Sequence, residues 1–205
     1  MNMISEQARQ RIEAAIAAVE QQSRAELVAV IARRAGEYRV TGLALATIGA
    51  FLAGFLAWLL LPWSSTGDVL LAEFAVFLVL LAILELTSLG DRLTPAFLKV
   101  EAARRLARAV FLDEGLTDTA ERNAVLFFVS LAEHHVEIIA DRGVHGRVTP
   151  GEWQAIVDGF SREVRAGQVV AGYEGAIAAL GAILARHFPS DGKPRDELGN
   201  RLIQL

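Results

Sequence analysis

Between residues 40 and 89 this sequence has no lysine or arginine, although the segments on either side are rich in arginine. Cysteine is absent from the chain, which agrees with a reducing compartment. A basic excess is lacking too, because 20 Lys and Arg stand against 24 Asp and Glu, and no basic stripe carries interleaved aromatic residues. These absences argue against nucleic acid as a partner.

The signatures of several enzyme classes are also missing. The loop at residues 143–146 lacks the Lys-Ser/Thr pair that a phosphate-binding loop requires, and no dinucleotide fingerprint occurs. Ser130 follows an apolar run, but no flanking glycines would make it a strained, exposed nucleophile. The sequence therefore predicts no catalytic residue of these kinds and no cofactor other than a divalent cation.

Two long apolar runs fill the segment without positive charge, one at residues 40–61 and one at 69–86. Each is close to the roughly 18–25 residues that an α-helix needs to cross the hydrocarbon core of a bilayer. Because lipid cannot satisfy backbone polar groups, the runs and their short polar connection predict a transmembrane helical hairpin over residues 40–89. The lipid bilayer is then one partner of the protein.

Arginine and lysine indicate how this hairpin is oriented. Positive residues flank it on both sides, whereas the connection has none, so the connection is expected to face outward. We expect no secretory signal, because residues 1–22 lack an apolar core. The predicted location is the inner, cytoplasmic membrane, with two passes and with both termini and the soluble domain in the cytoplasm.

Small residues recur along the first apolar run. Gly42 with Ala46, and Gly49 with Ala53, form small-xxx-small pairs that would let a second helix approach closely. Glycine and alanine are also common in membrane helices in general, so a packing role and a neutral one both stay open. Trp63, near the connection, is expected at the lipid–water interface.

Two carboxylates lie in the second run. A carboxylate deep in lipid would be a candidate functional group. Glu73 and Glu85 lie within about one or two turns of the ends of the run, where their side chains can reach headgroups or water. We expect both to be interfacial, with Glu85 near Arg92 or Arg39.

Outside the hairpin, helix and strand signals alternate. Residues 12–19 have helical apolar spacing, and residues 25–32 and 124–131 are apolar runs typical of buried strands. Residues 134–141 follow after a short connection, which predicts an antiparallel β-hairpin. Helices are predicted from residue 94, from Thr149-Pro150 and over residues 172–187.

This order predicts an α/β fold, with a small mixed sheet of three or four strands flanked by helices and interrupted by the transmembrane hairpin. The predicted organisation is residues 1–36 for the first helix and strand, 40–89 for the hairpin, 92–188 for the rest of the domain and 189–205 for a C-terminal tail.

The soluble part resembles the TPM domain family. The likeness lies in an Asn-led apolar strand, a second strand of alternating charged and apolar residues, a glycine-containing loop, a helix and a Gly-Tyr turn before a closing helix. The corresponding residues are 123–130, 135–141, 143–146, 152–166 and 168–172. Residues 12–32 resemble the family's opening helix and strand. The interrupting hairpin is similar to that of a bacterial membrane-bound subfamily.

The resemblance implies a role in the assembly, repair or modulation of membrane-protein complexes. It thus implies a membrane-anchored accessory or binding module, without enzymatic activity, whose partner is another membrane protein. The same family is also labelled as phosphatases that bind calcium or another metal near the loop after the second strand. A metal-dependent phosphomonoesterase centred on Asp141 is therefore the alternative.

Asp141 is the one acidic residue of the family's metal site with a clear counterpart here. Thr149-Pro150 stands where the family has Thr-Asp, so one carboxylate is missing. A site for a hard cation such as calcium needs several oxygen ligands. Asp141 can equally be a turn or capping residue that accepts backbone N–H bonds.

Histidines lie near Asp141 in the sequence. Period-two alternation places His135 and Glu137 on one face of the second strand, where they could supply two ligands to a transition metal. No third ligand follows at a telling spacing, so polar decoration of an exposed strand is the other interpretation. His145 in the glycine loop could join Asp141, and His135, Glu137 and His145 are the candidates for a polar cluster. A third hypothesis for the protein is a scaffold that self-associates through the hairpin.

Overall fold

The computed structural model describes residues 3–60, 65–191, 199 and 201–205. Contacts divide the chain into two compact units, Gly36–Lys99 and Met1–Ala35 with Val100–Leu205. The elements in chain order are α1 Glu6–Gln22, β1 Leu27–Ala32, α2 Arg39–Leu60, α3 Thr66–Leu86, α4 Leu89–Leu93, α5 Ala96–Asp113, β2 Val125–Ser130, β3 His135–Ala140, α6 Arg142–His145, α7 Pro150–Arg165, α8 Val169–His187 and β4 Leu202–Gln204.

A four-stranded mixed sheet in the order β3-β2-β1-β4 forms the centre of the larger unit. β1 is parallel to β2 and β4, and β3 is antiparallel to β2, which confirms the predicted sheet and its β-hairpin. The connection in that hairpin is four residues long, 131–134, and His134 has a φ of 51°. β4 lies within the predicted C-terminal tail, a segment to which the sequence analysis assigned no element.

Alternation along the strands divides the core into two layers. One face of the sheet packs against α1, α7 and α8, and the other packs against α5. In the first layer, the rings of Phe127, Phe160 and Tyr173 meet edge to face at 5.2–5.5 Å between centroids. The Tyr173 hydroxyl donates to the Val30 carbonyl at 2.9 Å. Burial raises the pKa of this phenol well above its usual value, so the donor keeps its proton.

Helix caps fix where the helices of this layer begin. Ser5 accepts a hydrogen bond from the Ala8 amide at the start of α1. α7 begins with a complete capping box between Thr149 and Glu152, followed by a proline in the first turn, as the sequence predicts. α8 begins at Val169, three residues before the predicted start.

The smaller unit is built from two long apolar helices. α2 and α3 pack against each other along the small residues Gly42, Ala46, Ala50 and Gly54, which are buried. Three helices of the described chain are long and apolar enough to cross a membrane: α2, α3 and α8. α8 differs from the other two because much of its surface is buried in the core of the larger unit. The predicted interfacial Trp63 lies outside the described residues.

Candidate functional site

Asp141, the predicted metal ligand, is placed directly after β3 as the N-cap of α6. Its Oδ1 accepts a hydrogen bond from the Arg142 amide at 2.7 Å. Its Oδ2 is buried and accepts no hydrogen bond among the residues that the structure describes. The Arg122 guanidinium lies 3.7 Å from Oδ2. One carboxylate oxygen therefore caps α6, and the other faces the Arg122 guanidinium without forming a hydrogen bond to it.

The backbone around Asp141 is crowded. The Asp141 amide donates to the Ala124 carbonyl at 2.9 Å, and the Gly143 amide donates to the Arg122 carbonyl at 2.8 Å. A Cβ on Gly143 would lie 2.6 Å from that carbonyl oxygen and 2.7 Å from the Glu121 carbonyl oxygen. Only glycine lets α6 approach the segment before β2 this closely.

His135 and Glu137 are brought together, as the alternation predicts. His135 Nε2 lies 3.1 Å from Glu137 Oε2, and both side chains are partly buried. In the sheet register His135 lies opposite Ser130 and Glu137 lies opposite Phe128. The pair is therefore fixed on the same sheet face as the α5 layer.

The four polar candidates do not form one cluster. Asp141 lies six positions after His135, which is about 20 Å along a strand at roughly 3.3 Å per residue. His145 lies close to Asp141, whose carbonyl accepts a hydrogen bond from the His145 amide at 3.0 Å, but its side chain is exposed. Within the described part of the chain, no three His, Cys, Asp or Glu side chains converge in a way that could hold a metal ion.

A buried carboxylate that the sequence analysis missed anchors the β2–β3 turn. Glu133 lies in this turn and is buried, and its Oε2 accepts hydrogen bonds from the Ser130 hydroxyl and from the Ala35 amide, the latter at 3.0 Å. The turn is thus tied to the chain that leaves β1. A glutamate in a polar turn gives no sequence signal of burial, since only the fold brings the Ala35 amide to it.

A cavity of about 470 Å³ opens beside this turn, between the first half of β3 and the second half of α7. Its volume is in the range of small-ligand sites, about 300–1,000 Å³. Apolar side chains, two serines and basic side chains provide its lining, and no Asp or Glu takes part. The lining residues are Val129, Ser130, Leu131, His134, His135, Val136, Phe160, Ser161, Val164 and Arg165.

The predicted packing residues of the hairpin lie on or beside the face of α2 that meets α3. Gly42 and Ala46 are buried, and Gly49 and Ala53 are partly buried. A Cβ on Gly49 would lie 2.7 Å from Leu80 Cδ1 of α3. These small residues therefore serve the contact between the two helices of one chain.

The two carboxylates of α3 have different surroundings. Glu85 Oε2 lies 3.6 Å from Arg39 Nε, so Arg39 is the neighbour that the structure gives it. The Glu73 carboxylate lies over Gly54, where an added Cβ would be 2.8 Å from its Oε2. Within the described residues, Glu73 thus lies against the backbone of α2 and forms no ion pair with a positively charged side chain.

Comparison with known proteins relates this chain to a domain family and to a solved structure. Residues 93–183 match the TPM domain family, which confirms the resemblance over that range. The structure is similar to the NMR structure of the BA42 protein from the psychrophilic bacterium Bizionia argentinensis, with a TM-score of 0.60, 16% identity and coverage of 99% of this chain and 96% of that chain. At this identity the similarity shows a common fold. No curated protein matches the chain.

Proposed function

Because residues 93–183 of this chain carry a TPM domain, we propose that the protein is a membrane-anchored binding module that acts on membrane-protein complexes. The α2–α3 hairpin is the anchor, and the larger unit recruits the partner. The observation that carries this proposal is the surface of α2 and α3, which is apolar, long and largely exposed among the described residues.

The large apolar side chains exposed in the described residues are concentrated on these two helices. Of 22 such side chains, 17 lie between Val40 and Leu86. An 18-residue stretch of α2 has a mean hydropathy of 2.2 and one of α3 has 2.6, and α3 buries no residue inside the protein. Contact of this apolar surface with water would cost roughly 25 cal/mol per Å², whereas a bilayer would cover the surface.

A binding role for the larger unit is supported by the state of Asp141. Its carboxylate caps α6 and faces Arg122, which is a structural use of the side chain. The cavity beside the β2–β3 turn has apolar walls and basic groups, a lining suited to holding a ligand.

Extraction of membranes from expressing cells with alkaline carbonate tests the anchor. We expect the full chain to stay in the membrane pellet. Leu78→Arg, near the centre of α3, should reduce the retained fraction, because arginine at a helix centre costs about 2.5–3.5 kcal/mol on insertion. Leu112→Arg, the same change on an exposed residue of α5, should have no effect. Release of the unaltered chain into the supernatant would contradict the anchor.

The alternative function is a metal-dependent phosphomonoesterase, favoured by one observation. Asp141 Oδ2 is buried and has no hydrogen-bond donor within the described chain, and such an oxygen is available to a cation. Hydrolysis of p-nitrophenyl phosphate by detergent-purified protein, with and without Ca²⁺ or Mg²⁺, separates the two functions. Metal-dependent turnover that Asp141→Asn abolishes and Asp158→Asn preserves would establish the enzyme; no turnover supports the binding module.

A further inference from the structure

We propose that the outer edge of β3 and the adjoining cavity bind the carboxyl-terminal segment of a partner protein. The segment adds to the sheet as an extended strand and places its last, apolar side chain between β3 and α7. This inference rests on the proposed function, because it names the class of partner that the binding module recognises.

β3 has an open edge. It is the first strand in the order β3-β2-β1-β4, so within the described chain only β2 pairs with it. The Asp141 amide donates to the Ala124 carbonyl, so these two residues form a hydrogen-bonded pair of the β2–β3 ladder. Counting two residues at a time from this pair, Leu126 with Ile139 and Phe128 with Glu137 are hydrogen-bonded pairs as well. Since bonded and non-bonded pairs alternate in an antiparallel ladder, the backbone groups of Val136 and Ile138 point away from β2.

Outward-pointing backbone groups on an exposed edge are a template for another strand. Any extended segment can form hydrogen bonds with these backbone groups, so such bonds provide affinity but little preference for a particular sequence. Specificity then has to come from a side-chain pocket beside the edge. The 470 Å³ cavity lies at this position, because Val136 of β3 is one of its walls.

The cavity is built for an apolar side chain. Val129 and Val136 come from the sheet, and Phe160 and Val164 come from α7. Phe160 is itself fixed by its edge-to-face contacts with Phe127 and Tyr173. The Glu133 bonds hold the β2–β3 turn at the end of the cavity, so the pocket is formed before a ligand arrives.

The positive charge at the mouth favours a carboxylate. Arg165 and His134 line the cavity and are exposed, and within the described residues neither side chain makes a hydrogen bond or ion pair, so the Arg165 guanidinium is available to an anion. The nearest acidic residue along α7, Glu163, lies against Gly172 of α8. A free chain terminus beside Arg165 would gain a charge-assisted hydrogen bond, which an internal segment cannot offer.

The test is an array of eight-residue peptides, randomised in the last four positions, prepared once with free carboxyl termini and once as carboxamides. Full-length protein in detergent micelles is the probe, and affinities of bound peptides are measured by fluorescence anisotropy. We expect binding of peptides with an apolar last residue, and only from the free-carboxyl array. Arg165→Gln should weaken them roughly tenfold, the loss expected for a hydrogen bond to a charged group.

Two further variants make the result specific. Ser161→Trp fills the cavity from α7, where Ser161 is partly buried, and should abolish binding. Arg162→Gln repeats the change made at Arg165 on an exposed arginine outside the lining and should leave binding unaltered. Near-ultraviolet circular dichroism shows that each variant is folded. An array without bound peptides, equal binding of the carboxamides, or full binding by folded Ser161→Trp overturns the inference. Whether the protein stays in carbonate-washed membranes does not depend on peptide binding. A failure of the peptide-binding inference can therefore be told apart from a failure of the proposed membrane anchor.

Discussion

At the scale of single residues, Gly143 is where the backbone beside Asp141 is most crowded. Replacing it with alanine places a Cβ against the carbonyl oxygens of Glu121 and Arg122, at 2.7 and 2.6 Å. Backbone atoms cannot rotate out of the way as a side chain does, so we expect Gly143→Ala to lower the free energy of unfolding by about 1–3 kcal/mol.

Gly146 provides the matched control for this substitution. It ends the same short helix with an ordinary φ of −84°, and a Cβ there would meet nothing within 4 Å. Denaturant unfolding of the detergent-solubilised chain, followed by tryptophan fluorescence, should show Gly146→Ala near the unaltered protein. Equal stability of the two variants would contradict the close approach of α6 to the segment before β2.

Glu152, at the start of α7, should make stability depend on pH. Hydrogen bonds from the Thr149 amide and hydroxyl lower the pKa of its carboxyl below 4.5 in the folded protein. A lowered folded-state pKa stabilises the protein above the unfolded value, and this contribution is lost as pH falls below 4.5 and through the folded pKa.

Glu152→Gln should therefore be less stable than the unaltered protein at pH 7, and the difference should shrink below about pH 4.5. Thermal unfolding midpoints measured between pH 7 and pH 3.5 check this expectation. A difference that stays constant over the whole range would show that the charge of Glu152 plays no part in the cap.

At the scale of elements, the contact between α2 and α3 depends on small residues. Ala46 is completely buried in this contact, whereas Ala44, two residues earlier, is exposed. Leucine at position 46 would force the two helices apart, whereas leucine at position 44 would stay on the exposed surface of α2. We expect Ala46→Leu to lower the thermal unfolding midpoint in detergent and Ala44→Leu to leave it unaltered.

The same two variants address self-association through the hairpin. If the small-residue face joined two chains, Ala46→Leu would dissociate an oligomer in cross-linking or size-exclusion experiments. Because the face already contacts α3 of its own chain, we expect the oligomeric state to be the same for both variants and for the unaltered protein. Dissociation caused by Ala46→Leu alone would instead favour the scaffold hypothesis.

Elements with a strong local pattern could be predicted from the sequence. β1 and β2 are apolar runs. The start of α7 is indicated by Pro150 and by the capping box of Thr149 and Glu152. β4 could not be predicted, because three residues carry no periodicity and their place is decided by pairing with the distant Ala29–Ile31 segment. Glu133 and the cavity depend on contacts between distant segments, so neither could be predicted, whereas the family resemblance pointed to Asp141 as a candidate.

At the scale of the whole molecule, the chain divides its apolar surface between two uses. In Met1–Ala35 with Val100–Leu205, apolar side chains are buried on both faces of a sheet, as in a protein folded in water. In Gly36–Lys99 they point outward along two helices that bury little. The segment in which apolar side chains are exposed is also the segment without Lys and Arg, residues 40–89.

This division supports the proposal that the α2–α3 hairpin crosses a membrane, for which the distribution of Lys and Arg predicts that the larger unit lies on the cytoplasmic side. The absence of cysteine makes single-cysteine labelling direct. Thr66→Cys, at the start of α3, and Gln7→Cys, on the exposed face of α1, are treated with a membrane-impermeant maleimide in intact spheroplasts. We predict labelling of position 66 in intact spheroplasts, and of position 7 only after lysis. Labelling of position 7 in intact spheroplasts, or protection of both positions until lysis, would contradict the account.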